Sequence, residues 1–258
     1  MFPSLFISHG APNIILGDSK SKKVIGNFAK TLEKPKYIII FSAHYLTDDL
    51  KIIDYEKPEL LYDFYGFEKE LYEYEYEIKS DKDISHKVLD HLNNNGLKAS
   101  IHKGKNDHDH GVWTTLSMMY KKMDIPIVQI SLPRNYSNDE LIKLGETLKT
   151  LKYEAMIISS GGLTHNLRDM SPFEPTKKYA KEFNDYMIDA INKGDKEKVL
   201  NSVKEKTFSM NHPTDEHFLP LFIAYGSAFD KKGVSFNSEM VFSNLSMECF
   251  VFDQKERN

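Results

Sequence analysis

Short runs rich in Ile and Val, at residues 5–7, 37–41, 125–132 and 155–158, alternate with longer segments of helical period, and this alternation restricts the fold more than any other feature of the chain. Runs that stay apolar at every position suit strands buried on both faces, as in the middle of a parallel sheet. The intervening segments at 20–32, 84–92 and 138–148 repeat their apolar residues at helical spacing. The second is closed by Asn95-Gly96 and the third is opened by the Ser137/Glu140 capping pair. The pattern predicts an α/β protein with a central mostly parallel or mixed sheet flanked by helices. Residues 239–242 and 246–252 read as a closing hairpin, and 177–203 as one long helix with a solvated outer face.

At 258 residues, with no Pro/Gly/Ser-rich linker and no internal repeat, the chain is expected to form one domain over 1–258. None of its apolar runs approaches the length of a membrane span. Met1-Phe2-Pro3-Ser4 passes into the first apolar run without the basic start of a signal peptide, so a cytoplasmic location is expected. A net charge of −4, with lysines interspersed among acids, argues against nucleic acid as a partner. Oligomeric state is not legible. Cys249 is the single cysteine, which rules out an internal disulfide and a thiolate metal cluster, so any metal would be held by His and carboxylate.

Most of the ten histidines fall in loops after predicted strands, where ligands of open α/β sheets collect. His9 ends the first strand in Ile7-Ser8-His9-Gly10, and His44 repeats the arrangement in Phe41-Ser42-Ala43-His44. Either alone could cap its strand, but the pair together reads as metal ligands. In Asn211-His212-Pro213-Thr214-Asp215-Glu216-His217, spacing leaves Glu216 and His217 as rivals for the third ligand position, since mononuclear sites with open positions often combine two His with one carboxylate. His108 and His110, two apart, would point the same way in an extended segment. His165, after the Gly161-Gly162 pair, is a candidate acid/base because an imidazole titrates near neutrality. His86, His91 and His102 read as surface residues.

Taken in order, Phe6-Ile7-Ser8-His9-Gly10-Ala11-Pro12, Ser42-Ala43-His44, Tyr62-Asp63-Phe64-Tyr65-Gly66-Phe67, Asp109-His110-Gly111-Val112-Trp113, Pro126-Ile127-Val128-Gln129-Ile130-Ser131, His165-Asn166-Leu167 and Pro213-Thr214-Asp215-Glu216-His217-Phe218-Leu219-Pro220 resemble the blocks of the class III extradiol ring-cleaving dioxygenases, in their DOPA-4,5-dioxygenase-like branch. The resemblance implies opening of a catechol-type aromatic by O2 at one divalent metal. It places His9, His44 and His217 as ligands, the last preferred over Glu216. His165 becomes the catalytic acid/base, and His110 a residue of the substrate pocket. Tyr62, Phe64, Tyr65, Phe67 and Trp113 are aromatic residues available to line a pocket for a flat substrate, and Trp113 and Tyr65 are singled out among them. Ring cleavage requires a redox-active ion, hence Fe(II), while Zn(II) is an ion that the same ligands would retain on purification. Tyr45 stands where the branch commonly has Trp, and Glu68 where it commonly has Pro, departures that bear on the pocket wall and an adjoining loop. Two other functions use the same histidines: a zinc-dependent hydrolase or lyase, and a binding module without turnover.

Overall fold

The computed structural model describes residues 1–254. Its strands are β1 (Ser4–Ser8), β2 (Tyr37–Thr47), β3 (Leu50–Ile52), β4 (Glu59–Leu60), β5 (Ala99–Ile101), β6 (Asp107–His108), β7 (Ile127–Pro133), β8 (Ala155–Gly161), β9 (Gly233–Asn237), β10 (Met240–Val241), β11 (Leu245–Ser246) and β12 (Cys249–Phe252). Its α-helices are α1 (Lys20–Ala29), α2 (Lys69–Tyr72), α3 (Lys82–Asn94), α4 (His110–Met119), α5 (Asn138–Leu148), α6 (Lys178–Lys193), α7 (Lys196–Asn201), α8 (Phe208–Asn211) and α9 (Pro220–Ser227). Eight strands form one mixed sheet in the order β5-β3-β7-β2-β8-β1-β12-β9, and β4 with β6 and β10 with β11 form separate two-stranded ladders.

The four central strands β7, β2, β8 and β1 are parallel. They are the four apolar runs of the sequence, and period-two geometry divides their side chains between two cores. Ile39, Phe41, Val128, Ile130 and Ile157 face one core with residues of α5, α6 and α9. Ile38, Ile40, Met156, Ile158 and Ile7 face the other with residues of α1 and α4. Helix α5 begins as its sequence requires, with Ser137 accepting from Glu140 N and Glu140 returning the bond in a capping box.

Two expectations change. The long helix at 177–203 is broken at Gly194, which adopts φ +68 and lets Asp195 N reach Ala190 O at 2.9 Å, a Schellman closure that ends α6 before α7 starts. The closing hairpin is confined to β10 and β11. Residues of β12 leave it and enter the main sheet antiparallel between β1 and β9, because Cys249, Phe250, Val251 and Phe252 are apolar on both faces and at most 2% exposed. Among the described residues no helix is long and apolar enough to cross a membrane.

Candidate metal centre

The carboxyl ends of β1, β2 and β8 lie side by side, and five histidines converge over them. His9 follows β1. His44 sits in β2 where the pairing with β7 slips between Phe41 and Leu46, a bulge that re-aims the side chain at the strand end. His110 opens α4, His165 follows β8, and His217 stands in the turn before α9. The Gly161-Gly162 pair lets that turn approach: Gly162 N donates to His217 O at 2.9 Å, and a Cβ on Gly161 would stand 2.2 Å from the same oxygen. Ring centroids of His9, His44 and His217 are 5.1, 5.4 and 4.9 Å apart. His110 lies 4.0 Å from His44 and 5.4 Å from His9, and His165 stacks on His217 at 3.5 Å with 9° between planes. Ligand atoms of His9, His44 and His110 fall within 4.8 Å of one another, as do those of His165, Glu216 and His217.

The hydrogen bonds fix which nitrogen of each ring faces inward. Ser160 gives its hydroxyl proton to Gly111 O at 2.7 Å, so toward His9 Nδ1, 2.9 Å away, it can only accept. Carboxylates likewise only accept. Glu216 Oε1 is 3.0 Å from His217 Nδ1, Asp63 Oδ1 is 2.8 Å from His110 Nδ1, and Asp63 Oδ2 is 3.5 Å from His44 Nδ1. Nδ1 of His9, His110 and His217 therefore carries the proton and Nε2 is a bare lone pair. The Asp63 carboxylate, near His44 Nδ1 without hydrogen-bonding it, favours the same tautomer there electrostatically. His9 Nε2 and His44 Nε2 then face one another at 3.2 Å. Two lone pairs at that separation repel, whereas two imidazoles bound about 2.1 Å from one ion, at an angle near 100°, stand about 3.2 Å apart. The donor set fits a divalent metal.

Burial suppresses the charged forms as well. His9 and His217 are held well below the usual histidine range by desolvation and then by the charges of neighbouring imidazoles. His44 is lowered by burial and by His110, against the pull of Asp109, Asp63 and Glu216. Burial pushes His165 down to about 4, with Glu216 opposing and His44 and His110 assisting. Neutral imidazole is the form that binds metal and accepts protons. Asp63 is itself desolvated, but its bond to His110 and the charges of His110 and His44 outweigh that and hold the carboxyl below its ordinary value.

His108 and His110 do not point the same way. His108 belongs to the β6 ladder and bonds the amide of Gln129, which donates onward to Asp109 Oδ2 at 2.7 Å. Asp109 also accepts from Ser42, whose Oγ accepts His44 N at 3.2 Å, so this buried chain supports the His44 backbone from behind. The helix that starts at His110 turns the second ring away. Of the three expected surface histidines, His86 is exposed beside Asp54. His91 is half-buried on Thr147 O, and His102 is half-buried on the Tyr45 hydroxyl at 2.7 Å.

The structure does not set Trp113 or Tyr65 directly against the histidines. Trp113 is fully buried and donates to Leu61 O at 3.0 Å, because its place on the inner face of α4 puts it in the core. Tyr65 is 92% exposed at a loop tip. The aromatic ring against the histidines is Phe64, edge-on to His110 at 5.7 Å. Sequence reasoning missed Asp63 and Ser160 as partners of the histidines. The signals were present: Asp63 lies inside an aromatic block, and Ser159-Ser160 is a polar pair ending an otherwise apolar strand.

Three imidazoles at the carboxyl end of a mostly parallel sheet, beside two further histidines, form a donor set that could hold a metal ion. The chain belongs to the family described as the catalytic LigB subunit of aromatic ring-opening dioxygenase, whose profile matches residues 3–249. It is 33% identical to a 4,5-DOPA dioxygenase extradiol of Beta vulgaris, over 87% of this chain and 86% of that one. It is 31% identical to a 4,5-DOPA dioxygenase extradiol-like protein of Schizosaccharomyces pombe (88% and 84% covered) and 29% identical to a 4,5-DOPA dioxygenase extradiol of Escherichia coli K12 (87% and 84%). A crystal structure of an uncharacterised Escherichia coli K12 protein shares the fold with a TM-score of 0.82 at 24% identity, covering 98% of this chain and all of that one.

Proposed function

We propose that the chain is a metal-dependent extradiol dioxygenase that opens a catechol-type aromatic ring with O2, incorporating both oxygen atoms. The observation that carries the reading is the pair of Nε2 atoms of His9 and His44 facing one another at 3.2 Å, with the ring centroid of His217 5.4 and 4.9 Å from theirs, in a chain of the ring-opening dioxygenase family. His9, His44 and His217 are the ligands in this proposal. Rings bound through Nε2 to one ion at angles between octahedral and tetrahedral have centroids roughly 4.5–5.2 Å apart. The separations of 5.1, 5.4 and 4.9 Å within this set lie close to that range, whereas His110 at 4.0 Å from His44 is too near to be a fellow ligand. Glu216 then serves as the acceptor behind His217.

When bound, Fe(II) supplies the redox chemistry that joins O2 to the catechol, which Zn(II) cannot do. The side chains do the rest. His165, held neutral by burial, accepts a proton from a substrate hydroxyl through its free lone pair and returns it as the ring opens. His110, with Nδ1 committed to Asp63, offers Nε2 as an acceptor to the substrate. Phe64 gives a flat face beside it for an aromatic ring. His9, His110 and His217 are 2%, 6% and 5% exposed, so these rings are shielded from bulk water.

The test is dioxygen consumption and coloured ring-opened product with a panel of catechols, using protein stripped of metal and reloaded anaerobically with Fe(II) or Zn(II). Turnover with Fe(II) only, abolished in His9→Ala and reduced at least about a hundredfold in His165→Ala, is expected. No uptake from protein fully loaded with Fe(II) refutes ring cleavage and favours a hydrolytic or binding role.

A further inference from the structure

We propose that Asp63 is the positioning residue of this centre, one carboxylate that sets the ring orientation and tautomer of His44 and His110 together. The inference rests on the reading above, in which His44 is a ligand and His110 meets the substrate. Asp63 Oδ1 accepts from both His110 N at 3.1 Å and His110 Nδ1 at 2.8 Å, while Oδ2 faces His44 Nδ1 at 3.5 Å. Accepting the backbone N–H at the start of α4 would by itself be helix capping, a role that Asp109 at the N-cap leaves open. Capping leaves the two ring contacts unexplained. A carboxylate is the group that can accept from two imidazoles at once, one on each oxygen.

The segment that carries Asp63 is itself fixed. Leu61 N donates to His108 O at 2.8 Å, Trp113 Nε1 donates to Leu61 O, and Tyr62 donates its hydroxyl to Tyr74 O at 2.8 Å. Phe64 packs against Trp113, Phe67 and Tyr72. The aromatic block of the sequence thus builds a rigid shelf, and what the shelf presents to the metal centre is one carboxylate. Asp63 thereby makes the geometry of a ligand and that of a substrate-facing residue depend on the same two oxygens. An amide in its place keeps the shape but has one acceptor and one donor. Whichever way it turns, one of the two rings loses its acceptor and must move its proton to Nε2, where it blocks that nitrogen.

Long-range proton–nitrogen correlation spectra of protein labelled with ¹⁵N-histidine read the tautomers directly. Chelator competition with Zn(II) reads metal affinity without reference to catalysis. In the wild-type protein without metal, His44 and His110 are expected as Nδ1–H tautomers. In Asp63→Asn one of them converts to Nε2–H, and Zn(II) affinity falls about 10- to 100-fold while the far-ultraviolet dichroism is unchanged. Unaltered tautomers in Asp63→Asn, or an Nε2–H tautomer of either ring in the wild type, overturn the proposal. The wild-type spectrum decides the matter even if the variant does not fold. A wild-type protein that shows the expected tautomers but binds no Zn(II) and no Fe(II) refutes the metalloenzyme reading and leaves the Asp63 assignment standing.

Discussion

At the scale of single residues, the centre depends on where side chains are missing as much as on where they are present. Gly161 ends β8 in register with Ser8 of β1, and a Cβ there would meet His217 O at 2.2 Å and Phe6 Cε2 at 3.3 Å. The near atom is backbone and cannot rotate away, so the turn carrying His217 must move. Gly161→Ala is expected to cost about 1–3 kcal/mol of stability, as overpacking does, and to lower Zn(II) affinity by about tenfold or more because His217, the proposed third ligand, is displaced. Gly162 is the internal control, since a Cβ there finds nothing nearer than 3.7 Å and needs no left-handed backbone. Thermal melts and Zn(II) titrations of the two alanine variants make the comparison. Equal behaviour of the pair would show that the close approach of the His217 turn is not what the glycine is for.

Among the elements, β12 and the segment leading into it carry a buried acid with no part in the proposed chemistry. Glu248 is fully buried, and desolvation pushes its carboxyl up to about 7 against the opposing hydrogen bonds of Ser235 and Ser238. A carboxyl raised in the folded state binds its proton more tightly there than in the unfolded chain. It takes nothing from stability below the unfolded value near 4.5, an increasing amount as pH rises toward 7, and its full penalty above that. Glu248→Gln removes the ionisation. The variant is expected to match the wild type in urea at pH 4.5 and to exceed it at pH 8 by roughly 2–3 kcal/mol. A constant difference across that range would mean that Glu248 does not titrate in it. This element also shows what the sequence could and could not convey. Ile38 to Phe41 announced a buried strand and Ser137/Glu140 announced a helix start, because strand burial and helix capping are written in adjacent residues. The partner of β12 was not legible, since an apolar run says that it will be covered and not by which strand. For the same reason the histidines stood out at the strand ends, while Ser160 and Asp63, 151 and 47 residues away from the rings they hold, did not.

For the molecule as a whole, the order of the central strands explains how histidines so distant in sequence come to share one site. β1 and β2 are consecutive in the chain but not adjacent in the sheet. β8 lies between them, so His9 and His44 stand on either side of its end, and the His217 turn closes over its final glycines. A centre assembled this way exists only in the folded protein, because the unfolded chain offers single, scattered imidazoles. Metal binding must then stabilise the fold by mass action, by about 2.7 kcal/mol when the free ion is a hundred times its dissociation constant. For a chain of this size each kcal/mol moves the melting temperature by about 2–4 °C, so loading with Zn(II) or anaerobic Fe(II) is expected to raise it by roughly 5–10 °C. Excess chelator should return it. His9→Ala, with one ligand gone, should lose most of the shift, and His86→Ala, on the exposed face of α3, should keep all of it. The rise should be shared by both ions, whereas oxygen uptake should follow Fe(II) alone. A melting temperature indifferent to either ion would mean that the lone pairs of His9 and His44 are reconciled by a proton between them, and that the cluster is not a metal centre.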